Sequence, residues 1–208
     1  MSKDREVVLL TVLLLGLFVL WGVNPKADRF TWFLENAPVI AGVALLAATY
    51  RRYPMSRLIY RLVFLHAIIL MLGGHYSYAR VPLGDWVRDW LDLERNHYDR
   101  LGHLAQGFFP AIITREILLR STPLAPGGWL FAIVTSIGLA ISALYELIEW
   151  WVAAGTGTAA MEFLGTQGDV WDSQWDMMLA LIGAVAAQLL LSRVHDRGLA
   201  STSKQPRR

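Results

Sequence analysis

Eight acidic residues and histidines fall inside or beside long apolar segments of this 208-residue chain. They are Asp99, His103, Glu116, Glu146, Glu149, Asp169, Asp172 and Asp176. An ionisable group in hydrocarbon costs at least about 2.5–3.5 kcal/mol on insertion scales, so such groups usually face a protein interior or a wet cavity. Carboxylates and imidazoles that gather in one place can bind a divalent metal ion or transfer protons. The sequence therefore predicts a site built from groups on neighbouring segments.

Asp99 and His103 stand four residues apart and share one face of a helix. A carboxylate–imidazole pair of this kind can bind a metal ion, or the aspartate can orient the histidine for proton transfer. The alternative is a salt bridge at the membrane edge with Arg95 or Arg100.

Glu146 and Glu149 stand three residues apart, directly after Tyr145. Two carboxylates that close repel each other unless a proton, a cation or an arginine lies between them. The same spacing recurs in carboxylate-bridged metal sites of helix bundles. The alternative is that Glu149 extends to the membrane interface beside Trp150 and Trp151.

Asp169, Asp172 and Asp176 form the pattern D-x-x-D-x-x-x-D, which makes one acidic stripe on a helix. Oxygen ligands of this type suit Mg²⁺, Mn²⁺ or Ca²⁺, and Zn²⁺ is a further candidate where a histidine joins them. The alternative is that Asp169 only caps a helix, since acidic groups suit its first turn. Capping explains Asp176 poorly.

Two further groups lie outside these patterns. His75, in the run GGHYSY, could join a metal site or be an ordinary hydrogen-bonded residue, and the same holds for His97. Glu116, with Arg115 and Arg120 beside it, predicts a structural ion-pair cluster at the cytoplasmic edge.

The composition is that of an integral membrane protein of one domain. Hydrophobic residues make up 55% of the chain and charged residues 17%, against about 25% charged in soluble domains. Only helices or closed barrels satisfy their backbone in lipid, and the long apolar runs predict an all-α, polytopic helix bundle. The absence of cysteine excludes disulfides and thiolate chemistry. The net charge of +2 comes largely from arginines at segment ends and in the tail, and nothing indicates nucleic-acid binding.

About 20 mainly apolar residues are needed to span a membrane. Six spans are predicted near residues 7–23, 32–50, 58–78, 98–119, 129–154 and 175–194, and the fourth has the weakest hydropathy. The first is longer than the apolar core of a signal peptide and is expected to be retained. Trp86, Trp90 and Leu93 recur at helical spacing and predict an amphipathic helix in the interface. Residues 1–194 thus form one domain, and residues 195–208 are expected to be a disordered basic tail.

The distribution of lysine and arginine predicts an orientation. Twelve lie near span ends on the side of the N-terminus and six on the other side, which predicts that both termini are cytoplasmic. Every group in the opening set except Glu116 then converges toward the outer leaflet. The predicted metal ligands are Asp99, His103, Glu146, Glu149, Asp172 and Asp176. His103, Asp99 and Glu146 are also the catalytic candidates, and His75, Tyr145 and Asp169 are possible additions.

Four blocks of the sequence carry a family resemblance: GGHYSYARVPLGDW, NHYDRLGHLAQGFFPAIITREILLR, ALYELIEWW and FLGTQGDVWDSQWDM. They resemble the signature blocks of the YjdF-like family of bacterial inner-membrane proteins. The resemblance covers roughly residues 75–188. It implies a small multi-span protein of the bacterial inner membrane and carries no mechanism with it.

A more distant similarity is to VanZ-like membrane proteins, which are associated with glycopeptide resistance at the cell envelope. Their pattern is D-x-x-x-H opening one helix, a glutamate on the next helix, and spaced aspartates entering a last helix. The matching residues here are Asp99 with His103, Glu146 or Glu149, and Asp172 with Asp176.

Three functions fit these residues. The best supported is a metal-dependent envelope enzyme, a hydrolase or phosphoryl-type transferase acting on a lipid or cell-wall precursor reached from the outer leaflet. The alternative is a proton- or cation-coupled transporter, which needs a path to both faces. The third is a non-catalytic accessory protein with a structural polar or metal-bound network, although interhelical polar contacts contribute only about 0.6 kcal/mol each. The lipid bilayer is the expected partner, and the sequence leaves the oligomeric state open.

Overall fold

The computed structural model describes residues 1–156 and 166–203, and its elements are those of a helix bundle. The α-helices in these ranges are α1 (Lys3–Val23), α2 (Arg29–Thr49), α3 (Arg57–Tyr76), α4 (Pro82–Leu91), α5 (Tyr98–Ser121), α6 (Gly128–Thr156) and α7 (Asp172–Ser203). A 3₁₀ turn, Tyr78–Arg80, joins α3 to α4. The described residues contain no strand, which confirms the predicted all-α class.

Within the described part of the chain, five helices are long and apolar enough to cross a membrane: α1, α2, α3, α6 and α7. The amphipathic helix α5 has 24 residues, which is also sufficient for a span. Each of the six predicted spans overlaps one of these six helices. The helix predicted before α5 is present as α4, whose Trp86 and Trp90 side chains are exposed, and it ends before the third predicted residue, Leu93. Its position in the membrane interface stays a prediction.

The six long helices, which are all the named helices except α4, form two groups of three. α5, α6 and α7 pack against one another, α1 and α2 both pack on α3, and the contact between α3 and α5 joins the groups. The closest approach is between α5 and α7. A Cβ atom on Gly107 would lie 1.9 Å from the carbonyl oxygen of Ala180, and one on Gly183 would lie 2.2 Å from that of Leu104. Small residues let these two backbones meet, as at many membrane helix contacts.

The last helix continues beyond its predicted end. α7 runs to Ser203, whereas the sequence predicted an end near residue 194 and a disordered tail over 195–208. The helix continues because tertiary contacts hold this segment. His195 is fully buried, and Asp196 accepts a 2.6 Å hydrogen bond from Arg115. Residues 204–208 of the predicted tail lie outside the described residues.

Candidate functional site

His103 lies at the centre of a cluster of carboxylates from three helices. Its Nε2 atom is 3.7 Å from an oxygen of Asp99 on α5, 3.7 Å from an oxygen of Glu146 on α6, and 3.9 Å from an oxygen of Asp176 on α7. One ligand atom each from Asp99, His103 and Asp176 lies within 4.8 Å of the others. These four residues, which we call the His103 cluster, were all predicted as metal ligands.

The His103 cluster is buried and its hydrogen bonding is incomplete. His103 and Asp176 are only 5% and 2% exposed. Among the described residues, no hydrogen-bond partner reaches Nδ1 of His103, Oε1 of Glu146 or Oδ1 of Asp176. A buried polar atom without a partner costs about 1–3 kcal/mol, so several in one place require a ligand or another compensation.

The contact between α5 and α7 sets the geometry of the cluster. Gly107 stands one helical turn after His103, and Ala180 stands one turn after Asp176. Residues four apart share a helix face, so the close approach of Gly107 and Ala180 also brings His103 opposite Asp176. The cluster is thus a consequence of how closely these two helices can pack.

Two predicted acidic residues are held by arginines beside the cluster. Arg95 donates a 2.7 Å hydrogen bond to Asp172, and Arg100 donates one of the same length to Asp169. Asp169 also accepts a hydrogen bond from the backbone N–H of Trp171. Trp171 lies in the turn before α7, and Asp169 is ion-paired, so the alternative that Asp169 only caps a helix is wrong. Beside the His103 cluster, Asp172 is therefore ion-paired with Arg95, and Asp169 is ion-paired with Arg100.

Asn96 fastens the segments that carry these arginines. It is 1% exposed, and its side-chain amide donates to the carbonyl of Val81 and to a carboxylate oxygen of Asp85, at 3.0 Å each. Its side-chain oxygen accepts from the backbone N–H of Tyr98, and its backbone carbonyl accepts from the side chain of Gln167. One buried amide thus links α4, the start of α5 and the segment before α7.

A cavity of about 540 Å³ opens beside the cluster. Glu149 and Tyr145 line it together with Asp99 and His103. These two α6 residues, like Glu146, were predicted to belong to the site, and both lie beside the cluster. The Tyr145 ring meets the His103 ring edge-on at a centroid distance of 6.4 Å. Glu149 therefore lines a protein cavity.

The structure adds two residues that the sequence argument missed. Glu35 on α2 is 5% exposed, Tyr78 is 7% exposed, and both line the same cavity as Asp99. Glu35 met the criterion applied to the other acids, because it lies within the predicted span 32–50. Tyr78 gave no such signal, since its position depends on a close fit against Gly73 and Gly102.

The two remaining histidines near this end lie in other surroundings. His75 is buried, with Nδ1 2.9 Å from the carbonyl oxygen of Trp21, and its own carbonyl accepts from the backbone N–H groups of Lys26 and Ala27. It joins the end of α3 to the turn between α1 and α2. Partial burial and the nearby cations of Arg100 and Arg95 lower the pKa of His97 below its ordinary value.

Glu116 lies at the opposite end of α5 in a separate network. It is fully buried and accepts hydrogen bonds from the backbone N–H of Ser56 and from Arg120, at 2.8 Å each. Arg115 donates to Nδ1 of His195, so the proton of the neutral imidazole lies on Nε2 and points to Glu116 at 3.1 Å. Arg120 was predicted as a partner of Glu116, and His195 was not.

Over residues 6–197 the chain matches the family described as "Predicted membrane protein (DUF2238)". The chain belongs to this family. It is also 50% identical to the inner membrane protein YjdF of Escherichia coli (strain K12) over 189 residues, which are 91% of this chain and 90% of that protein. No solved structure matches it significantly.

These matches confirm the YjdF-like resemblance, and the chain is a multi-pass protein of the bacterial inner membrane. The VanZ-like similarity is not shown by them and stays a prediction. Any function must therefore be argued from the His103 cluster and the cavity beside it.

Proposed function

We propose that this protein is a metal-dependent enzyme of the cell envelope whose divalent ion binds in the His103 cluster. The observation that carries this proposal is the spacing of the potential ligand atoms. Atoms bound to one Mg²⁺ or Ca²⁺ at about 2.0–2.6 Å are at most about 4–5 Å apart. One atom each of Asp99, His103 and Asp176 lies within 4.8 Å of the others, which meets the limit of about 5 Å for Ca²⁺ and exceeds the limit of about 4 Å for Mg²⁺ by less than about 1 Å.

The incomplete hydrogen bonding supports the same proposal. Three carboxylates placed about one imidazole repel one another unless a cation or shared protons lie among them. The arginines beside the cluster donate hydrogen bonds to two other aspartates, Arg95 to Asp172 and Arg100 to Asp169. A divalent ion would satisfy Oδ1 of Asp176, and a water bound to the ion would satisfy Oε1 of Glu146; neither oxygen has a hydrogen-bond partner among the described residues.

The proposed chemistry is attack of water, or of an acceptor hydroxyl, on a phosphoryl group of a lipid or cell-wall precursor. A new P–O bond forms, the P–O bond to the leaving alcohol or phosphate breaks, and the leaving oxygen takes up the proton that the attacking group has lost. Asp99, His103 and Asp176 would hold the ion, which polarises the phosphoryl oxygens and lowers the pKa of a bound water. Glu146, at the rim of the ligand set, would accept the proton of the attacking group. Glu149 and Asp172, the other two predicted ligands, would lie outside this ligand set, Glu149 in the cavity wall and Asp172 paired with Arg95.

Asp176→Asn tests metal binding directly. Mn²⁺ affinity, measured by titration calorimetry on purified protein, should fall about 100-fold or more, since even outer partners of metal ligands typically account for 10–100-fold. Asp89→Asn is the matched control, because Asp89 lies on α4 with a side chain that is 67% exposed. It should bind Mn²⁺ like the unaltered protein.

Phosphate release from a polyprenyl diphosphate in vesicles, with Mn²⁺ added, then measures the reaction. The unaltered protein and the Asp89→Asn variant should release phosphate, and Asp176→Asn should not. Purified protein without Mn²⁺ affinity, or an Asp176→Asn variant that binds Mn²⁺ normally, would sink the metal site.

A transporter would use the same cavity, because its lining reaches from Asp99 to Ser121 at the other end of α5. Between these ends, however, most of the wall is apolar, with Val43, Val63 and Ile113 among its residues and with His66 and Gln106 as separate polar side chains. A proton or cation would meet no continuous row of polar partners there. The observations thus favour the enzyme.

A further inference from the structure

The cavity beside the His103 cluster has one polar end, and its long remainder is lined mainly by apolar side chains, with His66 and Gln106 as polar side chains within it. It lies between α2, α3, α5 and α6. Carboxylates from Glu35, Asp99 and Glu149 mark the polar end, and Thr49 and Ser121 mark the far end. This division into a charged head region and an apolar shaft matches the shape of an amphiphile.

The cavity opens sideways, toward the hydrocarbon of the bilayer. Leu45 on α2 and Ile117 on α5 line it and are 65% and 42% exposed. Ile141 on α6 is a third exposed lining residue. In a chain that spans the membrane, exposed aliphatic side chains at this depth face lipid chains. A ligand can therefore enter from the bilayer without leaving its apolar surroundings.

The length of the cavity fits an extended hydrocarbon chain. Glu35 and Thr49 are fourteen residues apart on α2, which corresponds to about 21 Å along a helix. Half of a hydrocarbon core about 30 Å thick is about 15 Å. The shaft thus extends through more than one leaflet when measured from the carboxylate end.

We propose that this cavity binds the hydrocarbon chain of a phosphate-bearing lipid, with the phosphate at the His103 cluster. The phosphate end rests on the proposed metal-dependent function, whereas the chain end rests on the cavity alone. The carboxylates would repel a bare phosphate, so the headgroup binds only when a divalent ion bridges the two.

Gly42 offers a way to fill the shaft without disturbing the helix contacts. It lines the cavity, and a Cβ atom placed on it meets no other atom within 4 Å. Gly42→Trp should place an indole in the space that the chain would occupy. Gly16→Trp on α1 is the matched control, because Gly16 also has open space around it and lies outside the cavity lining.

The test is photolabelling in phosphatidylcholine vesicles that contain phosphatidylglycerol with a diazirine in its acyl chain. Mass spectrometry should find the label on α2 and α5 peptides of the unaltered protein and of Gly16→Trp. Gly42→Trp should lose this labelling about tenfold, which a steric cost of about 1.4 kcal/mol suffices to produce. Equal labelling in all three proteins would overturn the proposal.

A second probe, diacylglycerol with the same diazirine chain, tests the phosphate end. With Mn²⁺ present, phosphatidylglycerol should label the cavity peptides more strongly, and chelation of Mn²⁺ should remove the difference. Equal labelling by both probes would overturn the headgroup assignment. Cavity labelling in a protein that binds no Mn²⁺ would overturn the enzyme proposal and leave the chain site standing. Mn²⁺ binding without cavity labelling would overturn the chain site and leave the enzyme proposal standing.

Discussion

At the scale of single residues, the cost of a charge in a membrane was a good guide to the site. Asp99, His103, Glu146 and Asp176 were singled out by this argument, and the structure brings them together around one imidazole nitrogen. Glu35, which is buried on α2, is also an acidic residue within a predicted span and meets the same criterion. Spacing within one helix identifies residues on a shared face, but the partner across the bundle depends on packing.

The network around Glu116 shows how much partners of this kind contribute to the free energy of unfolding. Glu116→Gln removes the charge that Arg120 and the backbone of Ser56 share, and it disturbs the hydrogen bond with His195. Breaking a buried ion pair by changing one member typically costs about 3–5 kcal/mol. The free energy of unfolding in mixed micelles should fall by that amount.

Glu94→Gln is the matched control for this change, since Glu94 is exposed in the connection between α4 and α5. Its effect should stay within about 0.5 kcal/mol, as for surface substitutions generally. An equal effect of the two substitutions would mean that the Glu116 network is not a source of stability.

At the scale of helices, hydropathy predicted the positions of the spans and amphipathic spacing predicted α4. The end of α7 was missed because contacts to α5, and not the hydropathy of the tail, keep residues 195–203 helical. The pairing of α5 with α7 was also beyond the sequence. Glycine and alanine are common in membrane helices, and nothing local distinguishes Gly107 from Gly16.

Gly107→Ala tests that pairing. The added Cβ would lie 1.9 Å from the carbonyl oxygen of Ala180, a backbone atom that no rotamer change can move. The helices must separate, which should cost about 1–3 kcal/mol of stability, as overpacking does in cores. Because His103 and Asp176 lie one turn away, Mn²⁺ binding should weaken as well.

Gly16→Ala provides the comparison, since it makes the same chemical change where no atom lies within 4 Å. It should be neutral or stabilise the protein by up to about 1 kcal/mol, the usual gain of alanine over glycine in a helix. A destabilisation by Gly16→Ala equal to that of Gly107→Ala would contradict the close contact as the cause.

At the scale of the whole molecule, the two groups of helices divide the labour of the site. The residues of the His103 cluster come from α5, α6 and α7, whereas α2 and α3 provide the far wall of the cavity. α3 packs on α5 and thus sets the distance between these walls. A substrate that uses both must be part charged and part apolar, which is the chemistry of a lipid.

The orientation of the bundle decides from which side of the membrane the proposed substrate reaches the site. The distribution of lysine and arginine predicts that both termini lie in the cytoplasm. The chain contains no cysteine, so single-cysteine variants report their location without background. Val170→Cys, at an 84% exposed position two residues before α7, should react with a membrane-impermeant maleimide in spheroplasts. Arg52→Cys, between α2 and α3, should react only after permeabilisation. The opposite pattern would invert the protein and move the His103 cluster to the cytoplasmic leaflet. The proposed metal ligands and the cavity would be unchanged by that inversion, but the proposed lipid would then be drawn from the inner leaflet.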